Sequence, residues 1–175
     1  IKQQCIEIFS DASMNLRKWR TSDEDLNRQW NDDLAESKVL GMEWTNDDHL
    51  QIAIPEFKSN EPITKRKVVS YLASIYDPFG FVLATSFKLK LLVHEAWMKG
   101  LDWDEVMPND LARDVMKAVV EIDKLKTFKF KRFIFDQTVS TYDLTIFVDA
   151  SKNAIGIAAY VSDGRILSLV YAKSK

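Results

Sequence analysis

The sequence predicts a mixed α+β chain laid out as a β-hairpin, an α-helical block, a linker and the start of an antiparallel β-meander. Three observations carry this. Apolar residues alternate around a polar turn in SKVLGMEWTNDDHLQIAI. Three consecutive segments between Thr64 and Leu125 space their apolar residues as helices do. Near the C-terminus, Asp163-Gly164 stands between two apolar runs, a strong short-range hairpin signal.

Taken in order, Ile1 to Trp19 is short and mixed, with Ile6, Phe9, Leu16 and Trp19 as anchors and Asp11-Ala12-Ser13 as a turn or cap. Thr21 to Glu36 is acidic and compatible with a helix. In the predicted hairpin, Val39, Met42 and Trp44 precede the turn Asn46-Asp47-Asp48, and Leu50, Ile52 and Ile54 follow it at period two. Thr64 is placed to cap a helix carrying Val68, Leu72 and Ile75 on one stripe. Pro78 moves Asp77 out of the helical region and Gly80 relieves the turn, so that helix ends at Tyr76. A second helix carries Leu89, Leu92, Val93, Ala96 and Trp97 and stops at Gly100, and Trp97 and Trp103, which flank that glycine, are both read as core. A third begins near Pro108 and carries Leu111, Val115, Ala118, Val119, Ile122 and Leu125. FKFKRFIF is a short strand candidate, 136–142 a linker, and Leu144, Ile146 and Val148 share one face of the first meander strand.

With 175 residues and 46% apolar content, the chain can bury a core as one domain or two small ones. The net charge of −2 provides no global basic field for nucleic acid. Locally the balance shifts. Asp23 to Glu56 is acidic, Lys58 to Lys90 is basic, and a second basic knot gathers Lys124, Lys126, Lys129, Lys131 and Arg132. This asymmetry is read either as a face for a polyanion or as solvated helix faces. One cysteine, Cys5, excludes a disulfide framework, and no apolar run approaches the ~20 residues of a membrane span. The expectation is a soluble chain of a reducing compartment. The missing initiator Met suggests a piece of a longer protein.

Asp149 is the candidate for chemistry. A carboxylate at a strand end, followed by small Ala150 and Ser151, projects from a rigid platform. Mg²⁺ takes a few such oxygens, and a bridging carboxylate serves both ions of a two-metal phosphodiester site. The alternative is a turn-starting Asp that caps its own backbone. Gly156 allows close backbone approach or marks a bulge. Gly41, beside Met42, admits a bulky partner such as a sugar-phosphate chain, or forms a hairpin bulge over Val39, Leu40 and Trp44. On the first long helix Lys67, Tyr71 and Ser74 line one face, which either lies against a duplex or is simply solvated. His49 and His94 are isolated, and there is no glycine-rich phosphate loop or nucleophile elbow. A strand-borne Asp before a hairpin also opens actin-like and sugar-kinase ATPases, but Ser151-Lys152-Asn153 is a poor phosphate turn.

The run ITKRKVVSYLASIYDPFGFVLATSFKLKLLVHEAWMKGLDWDEVMP closely resembles the segment after the palm in the Pol polyprotein of BEL/Pao-type LTR retrotransposons. The flanks agree in order. FSDASMNLRKWRTS is similar to the end of the palm, KVLGMEWTNDDHLQI to the primer-grip hairpin, and FVDASKNAIGIAAYV with LVYAKSK to the opening strands of a retroviral-type ribonuclease H. The resemblance implies three parts: palm end and primer-grip hairpin over 1–60, a three-helix thumb/connection block over 61–135, and the first three antiparallel strands of a ribonuclease H-like fold over 143–175. It implies reverse transcription and Mg²⁺-assisted hydrolysis of the RNA strand of a hybrid in the intact protein. Asp149 becomes the first metal-binding acid. Leu40, Gly41, Met42 and Glu43 become primer-grip residues, and Lys65, Arg66, Lys67, Tyr71 and Ser74 contacts to template–primer. Expected partners are an RNA or DNA template–primer or RNA–DNA hybrid and the remainder of Pol, with no membrane and no catalysis by this chain alone. The implied location is the cytoplasm, with a virus-like particle or the nucleus as alternatives. The alternative is a domesticated remnant that binds nucleic acid or protein without catalysis.

Overall fold

The Thr64 hydroxyl accepts a hydrogen bond from the Lys67 amide at 3.3 Å, and its extended backbone starts the helix around which the molecule is arranged. In the computed structural model, which describes residues 1–17, 19–30, 38–135, 141–152 and 154–175, two helices precede it. These are α1 (Lys2–Asp11) and α2 (Glu24–Trp30); the capped helix is α3 (Lys65–Ser74), followed by α4 (Leu83–Met98) and α5 (Asn109–Asp123). The Asp77 carboxylate, released from α3 by Pro78, accepts from the amides of Phe81 and Val82 at 2.9 Å each and so caps the approach to α4.

The three long helices bury one core. Val68 and Tyr71 from α3, Leu89 and Ala96 from α4, and Leu111, Val115, Val119 and Ile122 from α5 meet there with Phe57 and Met107. The α5 stripe is buried as its periodicity predicts. On α4, Leu89 and Ala96 are fully buried, but Trp97 stays half-exposed. The segment after α4 returns to the start of α3: Met107 N–H donates to Ile63 O at 2.8 Å, and Arg66 N–H to Trp103 O at 3.0 Å.

Two antiparallel sheets flank this block. The first has the order β1 (Lys38–Val39), β2 (Met42–Trp44), β3 (His49–Gln51), β4 (Lys129–Lys131). Its first connection is a two-residue turn, Leu40-Gly41, with φ of 50° and 78° between the Val39–Met42 pair, so the strand predicted to run through Gly41 is two strands. Gly41 thus makes a tight turn, not a bulge. FKFKRFIF adds β4 to the hairpin's open edge, pairing His49–Gln51 with Lys129–Lys131. The second sheet has the order β5 (Asp143–Ala150), β6 (Ile155–Ser162), β7 (Leu167–Ser174), with the hairpin at Asp163-Gly164 that the sequence predicts. It docks through its edge: Ala172 N–H donates to Phe79 O at 2.7 Å. Gly80, with φ of 78°, lies so close that a Cβ there would stand 2.0 Å from the Ala172 carbonyl oxygen.

The N-terminal region departs from its reading. Residues 2–11 form a helix where a mixed segment was expected, with the Asp11-Ala12-Ser13 signal at its end. Phe9 is exposed, while Ile6, Leu16 and Trp19 are half-buried. Lys2 lies over Trp30, 4.9 Å from the ring centroid, which joins α1 to α2. Residues 31–36 of the acidic segment, Lys18 and most of the 136–142 linker lie outside the described residues. Among the described residues, no helix is long and apolar enough to cross a membrane.

Candidate active-site strand and nucleic-acid surfaces

β5 holds Asp149 one residue from its end, solvent-exposed, with a carboxylate oxygen accepting from the Ala150 amide at 2.9 Å. The turn beyond is closed by Ser151, whose amide donates to Ala154 O at 2.8 Å and whose hydroxyl accepts from Ala154 N–H at 3.1 Å. Across the ladder Asp149 faces Gly156, and Gly156 faces Ser174. The sheet's only register shift lies at Ala159/Tyr160, so Gly156 sits in regular strand and does not mark a bulge. On the same side, a groove of about 570 Å³ runs between the sheet and Leu83, Ala84 and Phe87 of α4, with Asp149 among its lining residues.

Around α3 the structure separates residues that the sequence grouped. Lys65 is 2% exposed and Tyr71 6%, so neither belongs to an open face, a correction to the predicted contact surface. The Lys65 ammonium sits 3.6 Å from the Trp97 ring centroid and 5.6 Å from that of Trp103, and the indoles meet edge-on. Both tryptophans were expected in the core. Instead they stand half-exposed and surround a buried cation, an attraction between charge and ring quadrupole that strengthens where water is excluded. Tyr71 packs edge-on against Phe57, and burial with the nearby Asp123 charge pushes its hydroxyl up to about 12. Lys67 is half-buried, its ammonium donating to the carbonyls of Lys58 and Glu61. Arg66 is exposed and makes a two-pronged pair with Asp104 at 2.7 and 3.0 Å, which holds the Asp104 carboxyl below its ordinary range. Ser74 is exposed and donates its hydroxyl to Tyr71 O.

The predicted primer-grip residues also divide. Leu40 and Glu43 are exposed, but Met42 is completely buried against Ile52 and Val82. The bulky neighbour of Gly41 is Tyr76, whose ring would lie 2.4 Å from a Cβ at that position.

Much of the second basic knot is neutralised at home. Lys129 pairs with Asp47 at 3.1 Å, Arg132 with Asp48 at 2.6 Å, and Lys126 with Asp123 at 2.9 Å. Arg20 and Arg132 both place their guanidinium groups about 5 Å from the Trp44 ring, which in turn donates to Asp48 at 2.8 Å. The acidic turn predicted only as a turn is therefore also a counter-charge for β4. The opposite signs of Asp47-Asp48 and the Lys129–Arg132 run are the sequence signal that could have found it.

Among the described residues, no three His, Cys, Asp or Glu side chains converge. Asp149 belongs to no such group among the described residues, so these residues do not fit a two-ion Mg²⁺ set, which needs several oxygen ligands held together. No curated protein and no solved structure matches this chain. Residues 64–175, from the Thr64 cap through the last strand, match the family model described as the Pao retrotransposon-like RNaseH-like domain. The chain belongs to that family, and the resemblance to BEL/Pao-type retrotransposon Pol read from its helices is shown.

Proposed function

We propose that this chain is a nucleic-acid-handling part of a retroelement Pol protein in which β5 supplies one carboxylate of a ribonuclease H-like site. Its substrate would be the RNA strand of an RNA–DNA hybrid. The carrying observation is Asp149: a solvent-open carboxylate at the end of the first of three antiparallel strands, in a chain of an RNaseH-like family. A strand fixes both the position and the direction of a side chain, which favours chemistry that depends on placement. Asp149 alone does not assemble the metal set, so hydrolysis is not assigned to these residues by themselves.

Primer gripping by residues 38–51 and template–primer contact by α3 belong to the same proposal, supported by the collinear order of the sequence. Of the residues named for it, Leu40, Gly41, Glu43, Arg66 and Ser74 are exposed, and Lys67 is half-buried. The test is titration of a labelled RNA–DNA hybrid with the whole chain across a salt series. Affinity should fall steeply as salt rises, because phosphate contacts release counterions. Absent or salt-insensitive binding would overturn the proposal, and Mg²⁺-dependent cleavage would overturn the reading that Asp149 needs further acids.

A further inference from the structure

Trp97 and Trp103 are the exposed pair among the five tryptophans, 50% and 41% open to solvent, while Trp19, Trp30 and Trp44 are half-buried. The turn after α4 brings them together. Gly100 N–H donates to Trp97 O at 3.0 Å and Leu101 N–H to Ala96 O at 3.2 Å. The chain thus folds back until the two rings meet edge-on, with centroids 5.2 Å apart. Met98, the next residue of α4, is more open still. Large apolar side chains held side by side in water mark a surface that another molecule covers.

A buried charge fixes this pair. The Lys65 ammonium lies 3.6 Å from the Trp97 centroid and 5.6 Å from that of Trp103, and no carboxylate pairs with it among the described residues. Taking a charge out of water without a counter-ion is unfavourable, and an apolar residue of similar length would avoid that penalty. What the arrangement achieves is two indoles held in place at the surface by cation–π attraction. Little side-chain entropy then remains to be lost when a partner covers them. Tryptophan and methionine are also enriched at the centres of protein interfaces.

The charges beside the rings indicate the partner. In the loop 101–106, Asp104 is matched by Arg66, and at the end of α4 Lys99 is matched by Glu95 and Asp110. Asp102 and Glu105 are exposed and have no counter-charge among the described residues; the Glu105 carboxylate accepts from the Asp102 amide at 2.9 Å. The exposed unmatched charges of the patch are therefore acidic, which repels a polyanion and suits a cationic segment. Trp44 shows that one indole of this protein holds two cations, with Arg20 and Arg132 at 5.0 and 4.9 Å from its centroid. A ring already occupied by Lys65 can accept a second cation in the same way.

We infer that Trp97, Met98 and Trp103 form a docking surface for a segment of a partner protein that carries arginine or lysine beside apolar residues. Its cations lie over the indoles and against Asp102 and Glu105. The inference does not depend on the proposed function and goes beyond it by adding a protein partner.

The experiment titrates the whole chain with a short labelled peptide alternating arginine with leucine, and with a counterpart carrying glutamate in place of arginine. The variants are Met98→Ser, Asp102→Lys and, on β5, Asp143→Lys. All three positions are exposed, and melting temperatures recorded in parallel establish that each variant folds. The arginine peptide should bind and the glutamate peptide should not. Affinity should fall about tenfold for Asp102→Lys and about threefold for Met98→Ser, while Asp143→Lys binds like the parent. No binding by the parent overturns the inference. Equal weakening by Asp102→Lys and Asp143→Lys also overturns it, because net charge would then explain the effect. Neither Met98→Ser nor Asp102→Lys should weaken binding of an RNA–DNA hybrid. Weaker hybrid binding by Met98→Ser would mark the patch as a nucleic-acid contact and overturn the inference while the proposed function stands.

Discussion

The helical block and the terminal sheet are built on opposite principles. In the block, α3, α4 and α5 each commit a stripe to a shared interior, and Val68, Leu89, Val115 and Ile122 are fully buried. In the sheet, every residue of β5 is exposed, including Leu144, Ile146, Phe147 and Val148, each more than half open to solvent. The ladders of β5–β7 are long, with one register shift at Ala159/Tyr160, so backbone pairing holds the sheet's shape while the apolar side chains of β5 stay open to solvent. Hydrogen bonds are therefore enough to specify a strand array, whereas burying apolar surface requires a second layer.

The sharpest way to break this comparison is to delete the same kind of side chain from each region. Leu89→Ala opens a cavity in the block and should cost about 2–5 kcal/mol in denaturant unfolding. Val148→Ala should stay within about 0.5 kcal/mol, since it removes carbon already in water. Equal losses would show that the sheet's apolar face is covered. A second variant tests the joint between the regions. Gly80→Ala places a methyl group against the Ala172 carbonyl and should cost roughly 1–3 kcal/mol. It should also speed amide exchange at Ala172 more than in α5, and unchanged exchange there would sink the docking. The smallest effect concerns acid. The Thr45 hydroxyl, then Lys129, holds the Asp47 carboxyl at about 2, below its ordinary 3.8. A depressed carboxyl contributes stability above about pH 4 and loses it as pH falls toward 2. The β3–β4 pairing should loosen over that window, and Asp47→Asn should weaken the pH dependence, leaving the part that Asp48 contributes through Arg132.

Much of the block was legible in the sequence because its signals are local. Thr64 three residues before Lys67, the Pro78 stop, and the five buried positions of α5 follow from hydrogen-bond reach and helical period. The Asp163-Gly164 hairpin and the place of Asp149 on its strand were legible for the same reason. The contact surface on α3 was not. Lys65 and Tyr71 have the chemistry of exposed residues, and only the arrival of Trp97, Trp103 and Phe57 from distant segments turned them inward. Gly41 likewise suggested an external partner, and the chain itself supplies Tyr76.

By itself, then, the sequence determined the order and kind of the elements from Thr64 to the last strand, the hairpin turns at Asn46-Asp47-Asp48 and Asp163-Gly164, and the family, because each rests on neighbours a few residues apart. Tertiary structure alone decided which cations are free. Lys129 and Arg132 find Asp47 and Asp48 more than eighty residues away, while Lys152, Lys173 and Lys175 find none among the described residues. The physical reason is that a charge's role depends on what lies within a few ångströms of it, and folding sets that distance across the whole chain.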